Sequence, residues 1–163
     1  MTEQTFSLAS CYKGWDGYQQ HLVHALAPLS PEQLTLRAAP HLRSTGMIAT
    51  HIIGARARWL YYVLKEGDKS LAAIGEWDAP GQPARTAAEL VSGLETTWQV
   101  IQNALQRWTI ADLDEVLHDT DEDGGDETFT RQWVIWHLIE HDLHHGGEVS
   151  FVLGMHGLAA IDL

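Results

Sequence analysis

The sequence predicts an all-α chain, a four-helix bundle. Apolar residues recur at three- and four-residue spacing in four separate stretches, alternation of period two is nearly absent, and capping or turn residues bound each stretch. Each stretch is about 20 residues long, the length of bundle helices, and the joining loops leave an up-down-down-up or similar crossover topology open.

In the first stretch Leu8, Cys11, Trp15, Tyr18, Leu22 and Leu26 form one stripe, closed by Pro28. Ser30-Pro31-Glu32-Gln33 is a helix-start signal that predicts a short turn of helix. The second stretch runs from Ser44 to Glu66, with Ile48, Ile52, Ala55, Trp59 and Tyr62 or Val63 on its stripe, and ends at Gly67-Asp68. Residues 67–85, with Gly75, Pro80, Gly81 and Pro83, read as a connection. Thr86-Ala87-Ala88-Glu89 is a capping box opening the third helix, whose apolar face is Leu90, Leu94, Trp98, Ile101, Leu105 and Trp108. A helical turn is expected within 109–118. The acidic run HDTDEDGGDE (118–127) is expected as a solvated loop, and the fourth helix spans Thr130 to Leu153.

A chain of 163 residues, 45% apolar and 20% charged, has the composition of one globular domain, taken here as 1–163. The single cysteine, Cys11, lies on the first stripe and is expected as a buried structural thiol; it allows no internal disulfide, which fits a reducing cytoplasm. No apolar run approaches the roughly 18 residues that span a bilayer. The opening MTEQTFSLASCYKGWD lacks the order of a secretory signal, so a cytoplasmic protein is expected. A net charge of −12 with ten scattered Lys and Arg residues argues against nucleic acid and against anionic membrane surfaces.

WHLIEHDLHHGGEVS (136–150) holds four histidines. With His141 set at zero and about 100° per residue, Val134, Leu138, Val149, Val152 and Leu153 lie between about +20° and +120°. His145, near about +40°, is inside that stripe and His141 is at its edge, whereas His137 and His144, at about −40° and −60°, lie off it. Two inward histidines at i and i+4 can grip one metal ion. His51 takes a core-facing position on the second helix, which makes His51, His141 and His145 a candidate metal site. Three imidazoles buried without a metal would leave nitrogens needing partners. Three nitrogen donors also leave one coordination position open.

Two other motifs are weaker. His137-Leu138-Ile139-Glu140-His141 spells an inverted zinc-peptidase motif, but Glu140 points away from the stripe and no downstream helix supplies the third ligand. Asp119, Asp121, Asp123 and Gly124 imitate the start of a calcium loop, yet its twelfth position is Thr130 instead of glutamate. Trp15, Trp59, Trp98 and Trp108 fit core stripes. Trp133 and Trp136 do not, and are expected to cover a subunit interface or a pocket mouth, with His137 and His144 on the same flank.

His141-Asp142-Leu143-His144-His145-Gly146-Gly147-Glu148-Val149 resembles the HxxHHxGQ-type helix of the DinB/YfiT-like family, and Ile48-Ala49-Thr50-His51-Ile52-Ile53-Gly54-Ala55 resembles its second-helix signature. The tail Leu153-Gly154-Met155-His156-Gly157-Leu158 is also similar. The resemblance implies a four-helix bundle binding a divalent metal, nickel or zinc, through His51, His141 and His145. It further implies a homodimer and, in some members, transfer of a small-molecule thiol to an electrophile. Gly146 stands where the family often has arginine, and Glu148 where it often has glutamine.

Two functions follow. One is a metal-dependent thiol S-transferase or hydrolase, with Glu148 or His137 as candidates for proton transfer and no catalytic residue fixed. The alternative is a non-enzymatic, dimeric metal-binding or stress-response module.

Overall fold

Leu8 opens the helical part of the chain in the computed structural model, which describes residues 7–120 and 124–163. Helix α1 (Leu8–Cys11) stops at Tyr12, where φ −105° and ψ 24° leave helical geometry, and α2 (Lys13–Leu26) follows. That break rotates Cys11 outward: the thiol is exposed, not buried as its place on the stripe suggested. Helix α3 (Pro31–Leu34) begins with the expected capping box, Ser30 accepting from Gln33 N and the Gln33 side chain accepting from Ser30 N.

Helix α4 (Thr45–Arg58) is capped by Ser44 and passes into a π-helical turn, Trp59–Val63. Val63 is buried and Tyr62 exposed, which resolves the choice left at the end of that stripe. The connection after it is not wholly irregular, since Ser70–Gly75 form α5. Helix α6 (Ala87–Arg107) starts with the Thr86/Glu89 capping box. A short 3-10 turn, Ile110–Asp114, accounts for the helical turn expected near 109–118.

The described ends of the acidic run, residues 118–120 and 126–127, belong to a β-hairpin instead of a loop. Strand β1 (Val116–Thr120) pairs antiparallel with β2 (Asp126–Thr130), Val116 facing Thr130 and Leu117 facing Phe129. The pattern was invisible because only one cross-strand pair turns inward: Leu117 is buried and Phe129 half-buried, and the other positions meet solvent. Asp121 and Asp123 of the calcium-like motif lie outside the described residues. Thr130 ends β2 and also caps α7 (Arg131–Met155) by accepting from Trp133 N, so the hairpin leads straight into the last helix.

Helix α4 packs against α7 and α6, and α2 packs against the same two. Two apolar clusters result. One gathers Trp15, Leu60, Trp98, Leu105 and Leu138; the other gathers Leu22, Ile52, Leu94, Val149 and Leu153. Each fully buried leucine or isoleucine contributes about 1.5–3 kcal/mol relative to exposure. At the junction of the clusters lies a buried polar layer of Gln19, Arg56 and Asp142. Among the described residues, no helix is long and apolar enough to cross a membrane.

Candidate metal centre

His51 projects from the middle of α4; His141 and His145 project from one face of α7, a single turn apart. Because α4 and α7 pack together, the three rings meet. Their centroids are 4.9 Å (His51–His141), 4.8 Å (His51–His145) and 4.4 Å (His141–His145) apart. Nε2 of His51 and Nε2 of His141 are 3.2 Å apart, and one ring nitrogen from each of the three lies within 4.8 Å of the others. All three residues are partly buried.

Carboxylates orient two of the rings. His51 Nδ1 donates to Asp78 Oδ2 at 2.7 Å, which leaves Nε2 as a bare lone pair. Asp78 is itself held by Arg58, whose guanidinium donates to Oδ1 at 2.5 Å and to Oδ2 at 3.1 Å. Burial works against ionisation of Asp78, but the hydrogen bonds from His51 and Arg58 and the Arg58 charge prevail and hold its carboxyl well below the usual range. The approach is possible because residue 54 is glycine: a Cβ there would stand 2.7 Å from Asp78 Oδ1. His145 Nδ1 donates to Glu148 Oε2 at 2.6 Å, freeing its Nε2 in the same way. Carboxylates that accept from the far nitrogen of a ligating histidine are the usual outer partners of metal sites.

His141 has a different environment. Burial, reinforced by His145, His51, His137 and Arg56, pushes its pKa down to about 3, so the ring is neutral at ordinary pH. His145 is lowered too, by burial first, with the Glu148 hydrogen bond opposing. Nδ1 of His141 is buried and has no hydrogen-bond partner among the described residues. Ring nitrogens from three imidazoles converge in a small space, and a cation between them would be held by their lone pairs. The 3.2 Å separation is close to the edge of a tetrahedron with metal–nitrogen bonds of about 2.0–2.1 Å, roughly 3.4 Å. The donor set therefore fits a divalent metal.

Beneath the rings, Asp142 fixes the rotation of α7. Its fully buried carboxylate accepts from Arg56 Nε (2.9 Å), Arg56 Nη2 (2.7 Å) and Trp15 Nε1 (2.6 Å), while Arg56 Nη1 donates to Gln19 at 2.7 Å. This layer was not among the predicted site residues. The signal was present: Asp142 falls near about +100° on the α7 wheel, within the apolar stripe, where a carboxylate needs a buried partner. Asp78 had no such signal, because a loop residue has no helical phase.

A cleft of about 420 Å³ opens on the α7 side of the cluster, lined by His137, Glu140, His141, His144 and His145. His137 stacks on Trp133 at 5.0 Å and 7°, meets Trp59 edge-on at 4.9 Å, and shares a 3.1 Å hydrogen bond with Glu140. Trp59 thus packs half-buried at the edge of the core, with Phe129, Trp133 and His137 on its outer side. Glu140, the proton-handling position of the inverted motif, is engaged with His137. His144 is exposed and does not join the trio; with His145 and Glu148 it makes a second, more open grouping. Gly146 packs on α2: a Cβ would collide with Tyr18 Oη and come within 2.9 Å of its ring, so an arginine has no room there.

Fold and site together define a mostly helical protein with a histidine cluster suited to a metal. The DinB superfamily model matches residues 15–149, and the chain belongs to that family. Its fold is shared with a DinB-like protein from Bacillus cereus ATCC 10987, at 23% identity, TM-score 0.70 and 93% coverage of both chains. A second structure, a candidate member of the DinB family from Exiguobacterium sibiricum 255-15, aligns at 16% identity and TM-score 0.63 over 94% of each chain. No curated protein matches the chain.

Proposed function

We propose that this chain holds one divalent ion, nickel or zinc, through His51, His141 and His145, and uses the ion's open face for small-molecule chemistry. The observation that carries this reading is the 3.2 Å approach of two imidazole nitrogens whose rings belong to different helices, one of them oriented by Asp78. When bound, the metal supplies a depressed pKa to a thiol or water in its open position.

The chain's own residues then have definable tasks. His137, fixed by Trp133 and Glu140, lines the cleft beside His141 and accepts the proton released by the thiol or water. Trp133 and Trp59 hold the His137 ring in place from its other side. Glu148 keeps His145 oriented and is a secondary candidate for proton transfer. Reaction classes consistent with these parts are transfer of a small-molecule thiol sulfur to an electrophilic carbon, and hydrolysis.

Metal analysis of the purified protein is the direct test. One equivalent of nickel or zinc is expected in the wild type, with stoichiometric binding abolished by His51→Ala, His141→Ala or His145→Ala and retained by His144→Ala. Retention by all three of the first variants refutes the site. Thiol-conjugation and hydrolysis assays on the loaded protein then decide the activity. The non-catalytic reading, a metal-stabilised binding module, has one observation in its favour: Tyr18 occupies the space of the arginine frequent in the family at position 146. Absence of turnover with any thiol or ester favours it.

Two structural expectations complete the proposal. The packing of α2 and α4 each against α6 and α7 supports a crossover four-helix topology. Exposed Trp136, Leu143, Phe151 and Met155 on the outer face of α7 support a homodimer through that helix, which sedimentation of the wild type and of Phe151→Glu would test.

A further inference from the structure

A larger cleft, about 670 Å³, shares His51 and its partner Asp78 with the metal centre but neither His141 nor His145. Helix α3, the first turns of α4 and the loop from Trp77 to Thr86 form its walls. Its volume is in the range of small-molecule sites, about 300–1,000 Å³. Leu34, Met47 and Trp77 give it an apolar lining, and Met47 is half-exposed there with no core to fill.

Arginine gives it a charge opposite to that of the chain. The Arg85 guanidinium lies 4.6 Å over the Trp77 ring, which holds it flat at the cleft wall. Its ion pair with Glu89 is 3.5 Å, longer than the about 2.7–2.9 Å of a charge-assisted hydrogen bond. Glu89 caps Thr86 through Oε2, accepting from its backbone N at 2.8 Å and its hydroxyl at 2.9 Å, and offers Arg85 only the Oε1 at that longer distance. Nε of Arg85 is buried without a hydrogen-bond partner among the described residues. Arg85 is thus a cation held in position by stacking but poorly supplied with acceptors. Arg43, exposed, is a second cation of the same cleft. Against these two cations the cleft carries one carboxylate, Asp78, which His51 and Arg58 already engage, so in a chain of net charge −12 this is a place where an anion is accepted instead of repelled.

We propose that this cleft is a binding site for a small organic anion, with an apolar, ring-sized body against Trp77, Met47 and Leu34 and a carboxylate, sulfonate or phosphate end on Arg85. The site is separate from the open face of the three-histidine centre and does not depend on its reading.

The dye anilinonaphthalene sulfonate has both parts of such a ligand; phenylnaphthylamine has the apolar body alone. Fluorescence titration of the folded protein should show one saturable site for the sulfonate dye and weaker binding of the uncharged dye. Arg85→Ala should weaken the sulfonate dye about tenfold, the loss of one hydrogen bond to a charged group, and leave the uncharged dye within about twofold. Arg43→Ala should give a smaller loss of the same selectivity, and Met47→Trp, which fills the cleft, should weaken both dyes. A cooperative thermal melt establishes that each variant is folded. The proposal is overturned if the wild type binds both dyes equally, if Arg85→Ala weakens both dyes alike or neither, or if Met47→Trp binds the sulfonate dye as the wild type does. Zinc content measured on the same samples separates the two sites: these dye results stand whether or not the wild type holds zinc.

Discussion

Asp78 decides how His51 is used. Without its carboxylate, the imidazole loses both its orientation and the proton placement that frees Nε2. Asp78→Asn should weaken zinc affinity about 10- to 100-fold, the usual effect of removing an outer carboxylate, with little change in fold; a competition titration against a chromophoric chelator measures it. Gly54→Ala tests the same contact from the helix side, because its methyl group would displace Asp78. The same loss of affinity is expected with Asp78 intact. Gly146 is constrained for another reason. Gly146→Ala overpacks Tyr18 and should cost about 1–3 kcal/mol by chemical denaturation. Neither contact was legible in the sequence: a glycine reveals nothing of which neighbour needs its space, and Asp78 sits in a connection with no periodicity to mark it.

Helix α6 shows how far local sequence reaches at the scale of an element. Its capping box and apolar face were readable because both are set by residues within a few positions of each other. Backbone and side-chain hydrogen bonds from Thr86 lower the Glu89 pKa below its ordinary 4.5. A carboxyl lowered on folding contributes stability above its unfolded value, and that contribution disappears as pH falls through the folded one. Wild type should therefore be more stable than Glu89→Gln at pH 6, and the gap should close as the pH is taken below about 4.5 in thermal melts. The hairpin is the opposite case. Strands β1 and β2 bury so little that no alternation appears, and their pairing depends on Phe129 finding Trp59 and Trp133. Phe129→Ala should loosen the hairpin and the His137 wall while leaving the bundle's melting cooperative; hydrogen exchange at Leu117 and Thr128 would report it.

Across the whole molecule, the two apolar clusters meet at a charged layer that ties α2, α4 and α7 together. Arg56→Met or Asp142→Asn alone leaves a buried partner uncompensated and should cost about 3–5 kcal/mol in denaturant unfolding. Changing Arg56 and Asp142 together to Met and Leu should recover much of that loss, since the desolvation penalty of the pair is then removed from both sides. If the single variants melt like the wild type, the layer is not what fixes the helices' rotation. Helical class, the span of the four long segments, the outward tryptophans at 133 and 136 and the exposure of His144 came from the sequence, because periodicity and capping are properties of neighbours along the chain. His137, placed by its helical angle on the outer flank, is instead half-buried against Trp59 and Trp133. The break at Tyr12, the hairpin, the Asp78 and Asp142 partners and the meeting of His51 with α7 came only from tertiary structure. Those features depend on which surfaces touch, and a contact between residues 90 positions apart leaves no periodic trace in either segment.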